Sequence, residues 1–212
     1  MRGVGRFVLW TLIVLGGMIG ILRATAIRWW KIPDDDPYLA ASIAPTLRGG
    51  DWVLLWRLTP PVPGMLVLCP EPNHPDRVVI GRAIGDAEDK VKVQGSQLFL
   101  RGRLQESEGD CVERSFTVED PETGTEVVQT CTTEVAVGLR HSRGNAPKHP
   151  DKPDFETTVG EGEFVLVSDN RQYPYDFRDY GAVDRATCKE MVFFRLIGAD
   201  GFGSPRRFTY IR

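Results

Sequence analysis

The apolar pattern of the chain changes once, sharply, near its start. Phe7 to Leu22 (FVLWTLIVLGGMIGIL) is sixteen residues without a charge, preceded by Arg2 and Arg6 and followed by RATAIRWWK. A membrane-spanning helix needs about 20 mostly apolar residues. The run reaches that length through Ile27 if Arg23 snorkels, with Trp29 and Trp30 at the interface. Small residues at Ala24 and Ala26 also fit a cleaved export signal cut after Ala26. Arg23 in the cleavage region, and glycines at 16, 17 and 20, favour the uncleaved anchor. With Arg2 and Arg6 inside, the remainder lies outside the cytoplasm. The reading is a membrane anchor over 1–31 and an extracytoplasmic domain over 32–212.

Beyond the anchor the pattern becomes short and β-like. KIPDDDPYLAA is a linker in which two prolines and three aspartates disfavour a helix. DWVLLWRL, GMLVLC, RVVIGRAIG, KVKVQG, QLFLRG, EVVQTCTTEVAV, EFVLVSDN, KEMVFFRLIG and RRFTYIR follow. Each is rich in Val, Leu, Ile or Phe and bounded by turn residues, so each predicts a strand. No long helical periodicity occurs after residue 30. The expected class is mainly β, one domain of packed or coiled sheets. Residues 104–158 are polar and charged, and predict an inserted hairpin followed by a long loop.

Composition narrows the function. The chain has 212 residues, with 26 Lys and Arg against 29 Asp and Glu, for a net charge of −3. No basic block with interleaved aromatics is present, so nucleic acid is not an expected partner. Of four cysteines, Cys111 and Cys131 bracket a nineteen-residue, mainly polar segment, and a disulfide between them suits an exported domain. Cys69 and Cys188 lie in apolar stretches and read as buried thiols. His74, His141 and His149 lie in Pro- or Gly-rich polar stretches and read as solvated loop residues. No Cys or His spacing suggests zinc, and neither metal nor cofactor is expected.

Three stretches carry the candidate chemistry. Ser42 in ASIAPTLRGGDWVLL sits on a stretch made rigid by Pro45, before a Gly-Gly turn into a strand. Alone it is a weak nucleophile candidate. VVIGRAIGDAEDKVKV holds Gly81 and Arg82. SDNRQYPYDFRDYG holds Asp169, Asn170, Arg171, Asp176, Arg178 and Gly181 in a dense polar run, where Asp176 and Arg178 suit a structural ion pair.

In order and spacing, over about residues 7 to 197, the membrane segment and these motifs resemble the type I signal peptidase (leader peptidase) family. The resemblance implies membrane-anchored Ser/Lys serine proteases with coiled antiparallel β-sheets and one transmembrane helix, which remove signal peptides at the outer face of the inner membrane. It places the nucleophile at Ser42 and implies a neutral lysine as its base. That lysine stands directly before the arginine of a K-R-x-I-G pattern. Here the arginine is Arg82 and the residue before it is Gly81, which has no side chain. A serine often found in the last motif, which orients the lysine, corresponds to Pro174. A serine two positions before the nucleophile, an oxyanion donor in many members, corresponds to Ala40. Loss of a base alone removes a factor of about 10²–10⁴.

The expected function is therefore a signal-peptidase relative that keeps the fold and has lost the usual endopeptidase activity. Its expected partners are the lipid bilayer, signal peptides of exported precursors, and an active signal peptidase. One alternative is a working peptidase using Ser42 with a non-standard base, His74, His141, His149 or Lys90. A second is an exported β-domain with an unrelated interaction role.

Overall fold

A computed structural model describes residues 2–145 and 154–211. After α1 (Arg2–Thr25) come β1 (Ile27–Lys31), a short α2 (Pro37–Ser42), β2 (Trp52–Trp56), β3 (Leu66–Glu71) and β4 (His74–Ile84). Next are β5 (Lys90–Gln94), β6 (Gln97–Leu100), β7 (Arg103–Leu104), the long β8 (Glu106–Glu119), β9 (Glu126–Ala136) and β10 (Leu139–Asn145). β11 (Phe155–Thr158), β12 (Glu163–Val167), the one-turn α3 (Phe177–Tyr180), β13 (Val183–Asp184), β14 (Glu190–Ile197) and β15 (Thr209–Tyr210) follow. His149 lies outside the described residues.

α1 is apolar on every side and none of its hydrophobic span, Val4–Thr25, is buried against the rest of the chain. At about 1.5 Å per residue its 24 residues exceed a ~30 Å hydrocarbon layer. The helix is long and apolar enough to cross a membrane.

Everything else is antiparallel sheet and turns. The main sheet runs β1-β2-β14-β3-β4-β12-β13, with β15 added to β14. The period-2 alternation of β3 and β4 decides what each layer receives. Leu66, Leu68 and Ile80 join Val53, Leu55 and Val192 in one layer, and Leu39, Ile43 and Leu47 pack into it from α2 and the turn after it. Val67, Cys69, Val79 and Ala83 join Phe164, Leu166 and Met191 in the other. A four-stranded sheet, β11-β5-β6-β7, and a three-stranded sheet, β10-β9-β8, extend the domain.

Three sequence expectations are corrected here. The aspartate-proline linker does form a helix, α2. Asp36 caps it, its carboxylate accepting the Leu39 N–H at 3.0 Å, and Pro37 occupies the first turn, where no N–H is needed. Cys69 and Cys188 are not free thiols. They form a disulfide, as do Cys111 and Cys131. β3 and β14 are paired through Val67 and Met191, so Cys69 and Cys188, two residues before β14, come within 4.5 Å Cα to Cα. The polar segment 104–158 carries more regular structure than a hairpin and loop: β8, β9, β10 and β11 all lie within it.

Candidate active site

Ser42 is the last residue of α2. Its side chain is fully buried, and its hydroxyl donates to the Leu39 carbonyl at 2.9 Å. That i to i−3 bond is the ordinary use of a serine at a helix end. Among the described residues it is the only hydrogen bond of this hydroxyl. Asn170 ties the same helix end to the 168–176 loop. Its side-chain N–H donates to the Ala41 carbonyl and its backbone N–H to the Ser42 carbonyl, both at 3.0 Å. Its side-chain oxygen in turn accepts from the backbones of Gln172 and Tyr173.

The β8–β9 hairpin covers this region. Phe116 and Val118 of β8 and Cys131 of β9 pack with Ala41, Ala44 and Tyr173. At the hairpin tip the Tyr173 hydroxyl donates to Asp120 at 3.2 Å. Burial, with the Asp120 carboxylate beside it, pushes the Tyr173 phenol up to about 12.

Beneath Ser42 lies a buried charge cluster. Arg82 grips Asp169 with two bonds of 2.8 Å and donates a third to the Gly64 carbonyl. Thr46 donates its hydroxyl to the same carboxylate. Arg143 donates to Glu134 at 3.0 Å, and Arg171 pairs with the second oxygen of Glu134. His141 stands between the two acids, its Nε2 3.1 Å from Glu134 and 3.7 Å from Asp169. Burial alone would raise both carboxyls. The arginines outweigh it and hold Asp169 and Glu134 down to about 2. Burial, reinforced by the Arg82 charge, pushes His141 below its ordinary value.

Asp176 occupies a separate corner. It takes two bonds of 2.9 Å from Arg178, accepts the Ser168 N–H and caps α3 in a box with Asp179. Gly81 lies on β4 opposite Val67. A Cβ at this position would sit 2.9 Å from the Leu166 Cβ and 3.5 Å from the Val167 backbone. Position 81 thus belongs to the layer of Val67 and Leu166, while α2 packs into the layer of Leu66 and Ile80. Ala40 is half-buried, its Cβ turned toward Gly49. Pro174 lines a small cavity with Tyr38, Tyr173 and the hairpin tip.

The structure thus gathers Ser42, Arg82, Asp169, Asn170 and Arg171 around one corner, with Asp176 and Arg178 bracing the loop beside it. Glu134, Arg143 and Thr46 belong to the same corner and were not among the sequence candidates; His141, named only as an alternative base, belongs to it too. The expectation of a solvated His141 is overturned, because it faces Glu134 directly across the β9–β10 pair and its side chain is fully buried. The available signal was VAVGL, a turn flanked by alternating residues that pairs Glu134 with His141.

The chain belongs to the signal peptidase, peptidase S26, family, whose sequence model matches residues 5–197. Among solved structures it is similar to a signal peptidase I from Enterococcus faecalis V583. That similarity is 19% identity, covering 63% of this chain and 97% of the other, with a TM-score of 0.38. No curated protein matches the chain.

Proposed function

We propose that this chain is a membrane-anchored signal-peptidase relative that does not cleave by the Ser/Lys route and instead binds exported precursors or an active peptidase. The observation that carries the reading is the state of Ser42: buried, bonded to a backbone carbonyl, with glycine at the position the family gives its base. An acyl-transfer nucleophile needs a base within hydrogen-bond reach and room for the substrate. Arg82 is nearest in the motif, but a guanidinium does not deprotonate. The His141 Nε2 lies 3.1 Å from Glu134 and 3.7 Å from Asp169. α1 serves as the single-pass anchor in the inner membrane. Two disulfides suit a domain on the oxidising, outer side.

The test is to incubate the full chain in detergent with a signal-peptide precursor and measure cleavage and binding for wild type and Ser42→Ala. Saturable binding without cleavage is the expected result. Cleavage that disappears in Ser42→Ala would overturn the reading. Gly81→Lys is expected to restore no activity, because its Cβ has no room beside Leu166.

A further inference from the structure

A cleft of 490 Å³ opens between the root of the β8–β9 hairpin, β10 and the C-terminal segment, next to Pro45 and Thr46. Phe116 and Ile211 give it apolar wall, and three arginines and one carboxylate, Glu113, give it charge. Two of the arginines have, among the described residues, no buried guanidinium nitrogen without an acceptor. Arg195 donates to Asp51 at 2.8 Å and also to the Thr46 carbonyl and Thr209. Arg140 pairs with Glu108 at 2.6 Å on the surface.

Arg206 is different. Its Nη2 donates to the Pro45 carbonyl at 3.0 Å and lies 3.4 Å from Glu113. Its Nη1 is shut off from solvent and has no acceptor among the described residues. A buried donor without an acceptor costs about 1–3 kcal/mol, more when charged. Glu113 answers the charge weakly, since its side chain is 56% exposed. It sits in a stretch where β8 loops out of register with β9 between Asp110 and Ser115. The surroundings are electropositive: burial, with Arg48 and Arg195 nearby, pushes Arg206 below its ordinary value. A guanidinium remains charged even so. The missing group is therefore an anionic acceptor. A planar carboxylate matches the guanidinium fork.

We propose that this cleft binds a carboxylate, with Arg206 as its anchor and Phe116 and Ile211 against the adjoining hydrocarbon. The source is a polypeptide, through an acidic side chain or a C-terminal carboxylate. Only the polypeptide source rests on the binding role proposed above; the anion site does not.

The experiment is an NMR titration of the ¹⁵N-labelled full chain in detergent micelles. The probes are N-acetylglutamate α-amide, N-acetylleucine, and N-acetylglutamine α-amide as the neutral control. The two acids should shift resonances around Arg206, and the glutamine compound should not. The stronger of the two acids identifies the source. Arg206→Gln should weaken acid binding about tenfold or more, the size of a lost charge-assisted bond. Glu113→Gln removes the competing carboxylate at an exposed position and should tighten binding about 2- to 5-fold. Equal response to acid and amide, no response to either acid, or a Kd unmoved by Arg206→Gln would overturn the proposal. If Arg206→Gln fails to fold, Glu113→Gln decides, and unchanged or weaker binding in it counts against the site. Acid binding without binding of precursor or active peptidase would leave the cleft standing and sink only the reading of the preceding section.

Discussion

Arg82, Arg143 and Arg171 share two carboxylates, and the cost of taking five ions out of water is met only while each keeps its partners. Arg82→Met is therefore expected to cost about 3–5 kcal/mol in urea unfolding, because it strands Asp169. The same cluster fixes a pH dependence. Asp169 and Glu134 have folded pKa values near 2, below 3.8 and 4.5 for the free groups, so they stabilise the fold above about pH 4.5 and lose that as pH falls toward 2. His141 has a folded pKa below 6.5, so the unfolded chain takes up its proton first and stability already declines below that pH. The urea midpoint should hold from pH 8 to 7 and fall through pH 6 and 4. His141→Gln should remove the part of the decline that sets in first, just below pH 6.5. The motif residues of this corner were legible because they stand together in the sequence. Glu134 and His141 were not, since seven positions and an unread turn separate them.

Strands with one apolar face announced themselves through alternation, as in LVLC of β3 and VVIGRAI of β4. β8 did not, because Glu106 to Arg114 has both faces toward water apart from Cys111. α2 was hidden by the residues that start it, an Asp and a Pro that read as breakers when the cap they form is not recognised. The β3–β14 pairing likewise could not be read from residues 119 apart, so its disulfide was missed. A cross-link closing so long a loop is worth about 4–5 kcal/mol in the chain-entropy model, and the double variant Cys69→Ala/Cys188→Ala should lose an amount of that order in unfolding under non-reducing conditions. The hairpin makes its own prediction. With all native cysteines bonded, a lone thiol in Ser42→Cys should be inert to maleimide in the folded protein. It should become reactive when Phe116→Ala loosens the packing over α2. Ready labelling without that second change would mean that the hairpin does not shield this position.

At the scale of the whole molecule, α1 and the β-domain are nearly independent. No part of the hydrophobic span of α1 is buried, and among the described residues α1 meets the domain at the junction with β1, where Arg23 lies over Trp29. A chain beginning at Ala26 should therefore fold with a thermal midpoint within about 2 °C of the full protein, since surface changes of this kind stay within about 0.5 kcal/mol. Differential scanning calorimetry of the two forms checks this. The broad architecture, an apolar helix followed by sheet, was legible from composition shift and periodicity. The way the three sheets close on one another was not, because the contacts that join them are between residues far apart in sequence.

β9 supplies Glu134 to Arg171 of the 168–176 loop, and β10 supplies Arg143 and His141 beside it. The segment around them looks, in the one-dimensional string, like an ornament that an ancestor gained and a descendant can shed. Excising it would leave Arg171 without its acid in the interior. The arrangement ties the two together: losing the segment strands the arginine, and losing the arginine strands Glu134 among fewer partners.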